Sequence, residues 1–361
     1  MKKLIALLLA VLMVAALLAG CAAKPAETPA AEEPAAEAPA AEEPAAEEPA
    51  AEEPAAEEPA EEEPAEAPEE EPAEEPEDEE NYETGDASLD NPRNQDEIGE
   101  AELMVVSFGT SFNDNRRLTI GAIESAIEAA FPDWSVRRGF TSQIIIDHVK
   151  SRDGEVIDNV TEALDRAVAN GVKTLVIQPT HLMDGFEYND LVNEVANYAD
   201  AFEAIAIGEP LLTSDEDFQA VADAIVAATA EYDDGETAIC FMGHGTEADS
   251  NEVYAKMQKL LTDGGHANYF IGTVEATPTV EDVLAAVQEG NYKRVVLRPL
   301  MIVAGDHAND DMAGDEEDSW KSIFEAAGYE VECVVSGLGE LEAIQNLFVQ
   351  HAQAAVDSLA Q

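Results

Sequence analysis

The main constraint on this chain's fold is an alternation of apolar, strand-type runs with helical patterns, arranged in two sets of four. The runs are Leu103–Phe108, Trp134–Phe140, Thr174–Gln178 and Glu203–Gly208, then Thr237–Met242, Asn268–Val274, Arg294–Val303 and Tyr329–Val335. Strands that alternate with helices indicate βαβ units around a parallel sheet. The sequence therefore predicts an α/β fold of two similar lobes, each a four-stranded parallel sheet flanked by helices. We expect a cleft between the lobes and a final helix from Leu341 to Leu359 on the outside.

The first twenty residues have the pattern of a secretory signal. Lys2 and Lys3 precede an apolar run from Leu4 to Leu18, and small residues lead to Cys21. The run is short for a membrane span, and the sequence around Cys21 resembles a bacterial lipobox. We predict a lipoprotein signal peptide at residues 1–20, lipidation of Cys21 and an extracytoplasmic, membrane-anchored protein. The alternative of a plain transmembrane anchor places the chain at the same membrane.

Residues 21–100 are predicted to be a disordered linker that follows the lipidated cysteine. Up to about Glu80 they repeat Pro-Ala-Ala-Glu-Glu with small variations. Frequent proline prevents a continuous helix, and like charges repel, so the segment is expected to be an extended spacer. The remaining chain divides into an N-terminal lobe at 101–234 and a C-terminal lobe at 235–361.

Charge argues against nucleic acid as a partner of the folded part. The first hundred residues hold 31 of the 78 acidic and 4 of the 18 basic side chains, which leaves 47 and 14 for the remainder, a net charge near −33. Such a surface repels phosphate backbones. The sequence leaves open whether the chain forms a homo-oligomer.

Several familiar motifs are absent from the sequence. It has no GxxxxGK[ST], no GxGxxG after a strand and no GxSxG, which disfavours ATP-driven chemistry, dinucleotide redox chemistry and serine hydrolysis. Cys240 and Cys333 lie in apolar strand-type runs without a CxxC pair, so free buried thiols are expected rather than a thiolate zinc site.

Three ligand-type side chains follow three successive predicted strands of the second lobe. His244 stands in Gly243-His244-Gly245, Glu275 follows the next strand, and His307 follows the third. The carboxyl ends of parallel strands lie along one edge, so these side chains are expected to converge. Two imidazoles and a carboxylate suit a borderline cation such as cobalt, iron, nickel or zinc. For any one histidine, an ordinary loop residue is the alternative.

Two residues of the first lobe are predicted to contact a ligand in the cleft. His181 ends the third strand, where substrate contact and a plain loop residue are equally compatible with the pattern. Arg116, with Arg117, begins a helix and could hold a carboxylate, although a solvated helix end explains at least one of them. Asp310 and Asp311 are interpreted as capping or solvated residues. The other histidines, His148, His266 and His351, receive no role.

Five segments resemble one known family, the sirohydrochlorin cobaltochelatases of the anaerobic cobalamin pathway, which are class II chelatases that need no ATP. They are SFGTSFNDNRRLTI, QPTHLMDGFEYNDL, MGHGTEADSNEVYAKM, GTVEATPTVEDV and RPLMIVAGDHANDDMAGDEEDSWK. The resemblance implies a tetrapyrrole in the cleft, metal-binding roles for His244, Glu275 and His307, and a catalytic role for His244 as the base for pyrrole protons. Ala248-Asp249-Ser250 departs from the family, whose members often have another histidine soon after GHGTE.

The function expected from these observations is insertion of Co²⁺, with Fe²⁺ or Ni²⁺ as further metals, into a sirohydrochlorin-like tetrapyrrole without ATP. Glu275 is included in the expected catalytic set beside His244. The alternative is a membrane-tethered protein that binds haem, another tetrapyrrole or metal on a chelatase fold without turnover.

Overall fold

The computed structural model describes residues 84–96 and 98–360, so the predictions for the signal peptide, Cys21 and the linker as far as residue 83 lie outside the described residues. Within the described part, eight strands form two separate four-stranded sheets. The strands are β1 (Ala101–Ser107), β2 (Ser135–Phe140), β3 (Thr174–Pro179), β4 (Ala204–Ile207), β5 (Thr237–Gly243), β6 (Tyr269–Thr273), β7 (Arg294–Pro299) and β8 (Glu330–Cys333).

Both sheets have the same topology, which confirms the predicted α/β fold of two similar lobes. The strand orders are β2-β1-β3-β4 and β6-β5-β7-β8, and every pairing is parallel. The central strands contain unbroken apolar runs, because helices cover both faces of a parallel sheet. Leu103 to Val106 in β1 and Ile239 to Met242 in β5 are fully buried.

Ten α-helices flank the strands of the described residues. They are α1 (Asn113–Leu118), α2 (Ile120–Ala130), α3 (Gln143–Asp153), α4 (Val160–Ala169), α5 (Phe186–Ala196), α6 (Asp215–Ala228), α7 (Glu252–Asp263), α8 (Val280–Gln288), α9 (Trp320–Ala326) and α10 (Glu342–Ser358). Capping boxes at Asn159, Ser214 and Thr279 fix where α4, α6 and α8 begin. None of the helices in the described part is long and apolar enough to span a membrane.

Strand β7 is shorter than the sequence predicts. It ends at Pro299, whereas the apolar run continues to Val303. Leu300 still donates its N–H to the Met242 carbonyl, but the next residues pair with the segment before the last helix, where Leu338 donates to Met301. The run is apolar because it is buried between elements, and it is not part of the sheet.

The two lobes exchange one helix each, which corrects the predicted boundary between 101–234 and 235–361. Helix α6 follows the first sheet in sequence but contacts the second lobe: Lys256 pairs with Asp215 at 2.7 Å, and the Thr229 hydroxyl lies 2.8 Å from the Tyr269 hydroxyl. Helix α10 follows the second sheet but packs on α2, β3 and β4 of the first. The chain therefore crosses between lobes twice.

The predicted linker ends earlier than residue 100. Residues 84–96 lie on the first lobe, where Asp90 pairs with Arg116 and Arg138, and Arg93 pairs with Glu124. Asp90 is 2 % exposed and both of its arginine partners are fully buried. The polar composition of this segment did not predict that it packs on the first lobe, because it is attached by buried ion pairs and not by apolar side chains.

Candidate metal centre

The cleft between the lobes is built from the carboxyl ends of strands of both sheets. It contains a cavity of about 450 Å³. The first lobe contributes residues that follow β1 and β3, and the second contributes residues that follow β5, β6 and β7. This is the edge at which open α/β sheets bind ligands.

His244, Glu275 and His307 converge at this edge, as their positions after successive strands predict. One ligand atom from each residue lies within 4.8 Å of the others. The imidazole centroids of His244 and His307 are 4.6 Å apart with the rings nearly perpendicular, and His244 Nδ1 lies 3.7 Å from Glu275 Oε2. The side chains are 49 %, 54 % and 34 % exposed, so the group is open on one side. Their part in metal binding stays a prediction.

Backbone hydrogen bonds hold the loops of His244 and Glu275 together. Glu275 donates its N–H to the His244 carbonyl at 2.8 Å, and Val274 donates to Gly243 at 3.0 Å. The two side chains therefore start from adjacent backbone positions at the end of β5 and β6. Their separation is set by the sheet and does not depend on a flexible loop.

Each histidine has its Nδ1 next to an acceptor. His244 Nδ1 lies 2.9 Å from the Gly245 carbonyl, and His307 Nδ1 lies 2.6 Å from Asp311 Oδ2. A carbonyl or carboxylate oxygen accepts, so Nδ1 donates and Nε2 carries the lone pair. In this tautomer Nε2 of each ring is the nitrogen left to bind a cation, the arrangement in which an oxygen behind the ring fixes its tautomer.

Asp311 is a positioning residue that the sequence interpretation missed. His307 is followed by one turn of π-helix, Ala308–Met312, which brings Asp311 against the ring. Such turns occur at functional sites because they aim side chains that a regular helix would direct elsewhere. The i, i+4 spacing was visible in the sequence, but it was interpreted as capping.

The two glycines beside His244 serve the turn itself. A Cβ at Gly243 would lie 2.1 Å from the Tyr254 ring, and Gly245 has a φ of +91°, which favours glycine. Tyr254 is buried, and its hydroxyl accepts a hydrogen bond from the Gly245 N–H at 3.2 Å. Gly243 therefore makes room for the Tyr254 ring and not for a ligand.

The two first-lobe predictions have different outcomes in the structure. His181 lines the cavity and is only 9 % exposed. Arg116 does not line it: its guanidinium is fully buried and bonds to Asp90 at 2.7 Å, Asn113 at 2.7 Å and Glu155 at 3.0 Å. These partners engage Arg116 away from the cleft, which makes its role structural. The position of Arg116 at a helix start predicted a ligand contact. Its acidic partners are distant in sequence, so the sequence did not reveal that they already bind its guanidinium.

Outside the cleft, His351 connects the two exchanged helices. Its Nε2 lies 3.0 Å from Asp217 on α6, and its Nδ1 lies 3.1 Å from the Glu209 carbonyl. No sequence pattern pointed to this contact, because the partners are 134 and 142 residues away.

Two parallel-sheet lobes with a nitrogen- and oxygen-donor group at an open cleft define a class II chelatase fold. The solved structure titled "SirB from Bacillus subtilis with Fe3+" has this fold, with a TM-score of 0.51 at 13 % identity, covering 72 % of this chain and 98 % of that one. The family model described as cobalt chelatase (CbiK) matches residues 101–357. This chain belongs to that cobalt chelatase family.

Two relatives carry functional names. The sirohydrochlorin cobaltochelatase of Salmonella typhimurium (strain LT2) is 38 % identical over 258 residues, which is 71 % of this chain and 96 % of the relative. The sirohydrochlorin cobaltochelatase CbiKC of Nitratidesulfovibrio vulgaris (strain Hildenborough) is 31 % identical over 259 residues, covering 71 % and 91 %.

Proposed function

We propose that this chain inserts Co²⁺ into sirohydrochlorin, or a closely similar tetrapyrrole, in the cleft between its lobes and without ATP. The observation that carries the proposal is the convergence of His244, Glu275 and His307 within 4.8 Å at an open cavity. Membership of the cobalt chelatase family and two relatives named sirohydrochlorin cobaltochelatase support the choice of metal and ring.

The donor group suits an ion that has to be released. Three donors leave coordination positions open, whereas closure by four protein ligands is typical of sites that retain their metal. Insertion exchanges two pyrrole protons for one divalent ion. As the ion moves from His244 to the ring nitrogens, the Nε2 lone pair of His244 becomes available for one of these protons. The same donors suit Fe²⁺ and Ni²⁺, which we propose as further metals.

The assay that tests this proposal uses the chain beginning at Thr84, mixed with sirohydrochlorin under anaerobic conditions. We expect the absorption spectrum to change to that of the cobalt complex when Co²⁺ is added, without ATP. A spectrum that shifts on binding but gains no metal over the non-enzymatic rate would contradict insertion and favour the tetrapyrrole carrier. Repeating the assay with Fe²⁺ and Ni²⁺ ranks the metals.

We further propose that the enzyme is extracytoplasmic, anchored through lipidated Cys21 and separated from the membrane by the Pro/Ala/Glu-rich linker. The support is the sequence of residues 1–83 alone. Cys21→Ala is expected to move the protein from the membrane fraction to the soluble fraction, because one lipid-anchored residue would hold the whole chain. Equal membrane recovery of the wild type and the variant would contradict the anchor.

A further inference from the structure

His181 is a buried polar side chain without a hydrogen-bond partner among the described residues. It follows β3 and lines the cavity, and neither Nδ1 nor Nε2 makes a hydrogen bond. A buried polar group left unpaired costs about 1–3 kcal/mol. An imidazole that served only the packing of the first lobe would be expected to bond to a neighbouring backbone group. The unpaired nitrogens instead indicate that a ligand in the cavity supplies their hydrogen-bond partners.

Glu187 is the nearest charged group to this imidazole. It lies in the first turn of α5, with Oε2 3.5 Å from His181 Nε2 and 49 % of its side chain exposed. The distance is beyond a hydrogen bond but within reach of a small side-chain rotation, and such pairs often tighten only when substrate binds. Glu187 therefore links the buried imidazole to solvent at the mouth of the cavity.

The protonation properties of the pair favour transfer between its members. Burial lowers the pKa of His181 to about 4, which keeps the ring neutral before a ligand arrives. Burial raises the pKa of Glu187, against a smaller opposing effect of His244 and with a small contribution from Asp190. The pKa of His181 therefore lies below that of Glu187, so a proton on the imidazole passes to the carboxylate. A weak base suffices because a pyrrole N–H becomes acidic once its nitrogen approaches a divalent cation.

The pair lies on the first lobe and lines the same cavity as His244 and Glu275 of the second lobe. Phe108, Leu182 and Phe186 surround the first-lobe side. A flat ring bound between these walls would lie against His181 and Glu187 on one lobe and against the candidate metal ligands on the other.

We propose that His181 is a second catalytic residue, which accepts one of the two pyrrole protons and passes it through Glu187 to solvent. This inference rests on the proposed chelatase function. In the step, a pyrrole N–H bond breaks, its electron pair stays on the ring nitrogen and binds the cation, and the proton joins a His181 nitrogen. The other nitrogen then releases a proton to the Glu187 carboxylate, and the second pyrrole proton leaves towards His244.

His181→Gly and Glu187→Gln test the proposal, with His266→Ala as the matched control on a loop outside the cavity. We expect kcat for Co²⁺ insertion to fall about 10²- to 10⁴-fold in His181→Gly, the usual contribution of a general base. Affinity for Co²⁺ and for the tetrapyrrole should stay unchanged. Added imidazole should restore part of the His181→Gly rate, and substituted imidazoles should restore more as their basicity rises. Glu187→Gln should lower kcat by a smaller factor.

Each other outcome overturns a stated part of the proposal. An unchanged kcat in His181→Gly would remove the proton-accepting role. A loss confined to tetrapyrrole affinity, without rescue by imidazole, would show that His181 only binds a polar group of the ring. If the wild-type chain itself fails to insert Co²⁺, the chelatase function fails, which distinguishes that result from a failure of the relay.

Discussion

His307→Ala is expected to weaken Co²⁺ binding by more than the ~10- to 100-fold that loss of an outer hydrogen-bond partner costs, because it removes a proposed ligand outright. Asp311→Asn keeps the imidazole but replaces the carboxylate behind Nδ1 at 2.6 Å, so its effect should fall within that range. Titration of each variant with Co²⁺, followed by visible absorption, gives the affinities. The expected order is wild type, Asp311→Asn, then His307→Ala.

The two histidine variants are expected to differ in kinetics. High Co²⁺ should recover part of the rate in His307→Ala, because the defect is mainly in loading the ion. His244→Ala should remain slow at every metal concentration, since in the proposed function the same ring both holds the ion and receives a proton. His266→Ala is the control, and its rate should match that of the wild type. Undiminished turnover in both His244→Ala and His307→Ala would exclude the site.

Asp90→Ala is expected to reduce the free energy of unfolding by about 3–5 kcal/mol, the usual consequence of leaving a buried charge without its partner. Asp90 Oδ2 lies 2.7 Å from both Arg116 Nε and Arg138 Nη1, and both guanidinium groups are fully buried. Glu155 and Glu124 remain as partners after the substitution, which argues for the lower half of the range. Urea unfolding followed by far-UV circular dichroism measures the change.

The loss of folding stability at acid pH provides a second measurement of the ion pairs of Asp90. Burial would raise the pKa of Asp90, but the hydrogen bonds and charges of Arg138 and Arg116 outweigh it and hold the pKa below 3.8. A lowered folded-state pKa stabilises the fold above the unfolded value, and that stability is lost as pH falls through the folded one. Asp90→Asn should therefore lose less folding stability than the wild type as the pH falls below the ordinary aspartate pKa.

Asp96→Asn is the control for Asp90, because it lies in the same segment but pairs with Arg166 at the surface with 63 % of its side chain exposed. Its effect should stay within about 1 kcal/mol. A chain that begins at Glu100 lacks Asp90 altogether and should be destabilised as much as the substitution. Equal stability of the chains beginning at Thr84 and at Glu100 would contradict the structural role of this segment.

Sequence periodicity was sufficient to predict the strands, because the apolar pattern that marks a strand is local in the sequence. The run around Leu103 to Val106 is apolar at every position, which is typical of a strand buried on both faces, and all eight predicted runs contain strands. The sequence pattern did not define where each strand ends. The run that contains Leu300 to Val303 is as apolar as a strand but is buried by loops from elsewhere in the chain.

The candidate site was predictable where backbone geometry is simple. His244 follows β5 directly and Glu275 is two residues beyond β6, so the sheet edge places both. His307 is eight residues beyond β7 and reaches the group only through the chain's return and the π-helical turn. That path depends on tertiary contacts such as the hydrogen bond from Ala304 N–H to Asn115 Oδ1, which joins positions 189 residues apart.

The exchanged helices have a consequence for the order in which the protein can fold during synthesis. Ile344, Phe348 and Ala352 of α10 cover the first sheet, yet they are synthesised after every strand of the second sheet. The early half of the polypeptide must therefore wait, with part of its apolar surface exposed to water or to a chaperone, until α10 has left the ribosome. A chain cut just before Glu342 would keep every residue of the candidate metal centre and still leave the opposite half of the molecule uncovered.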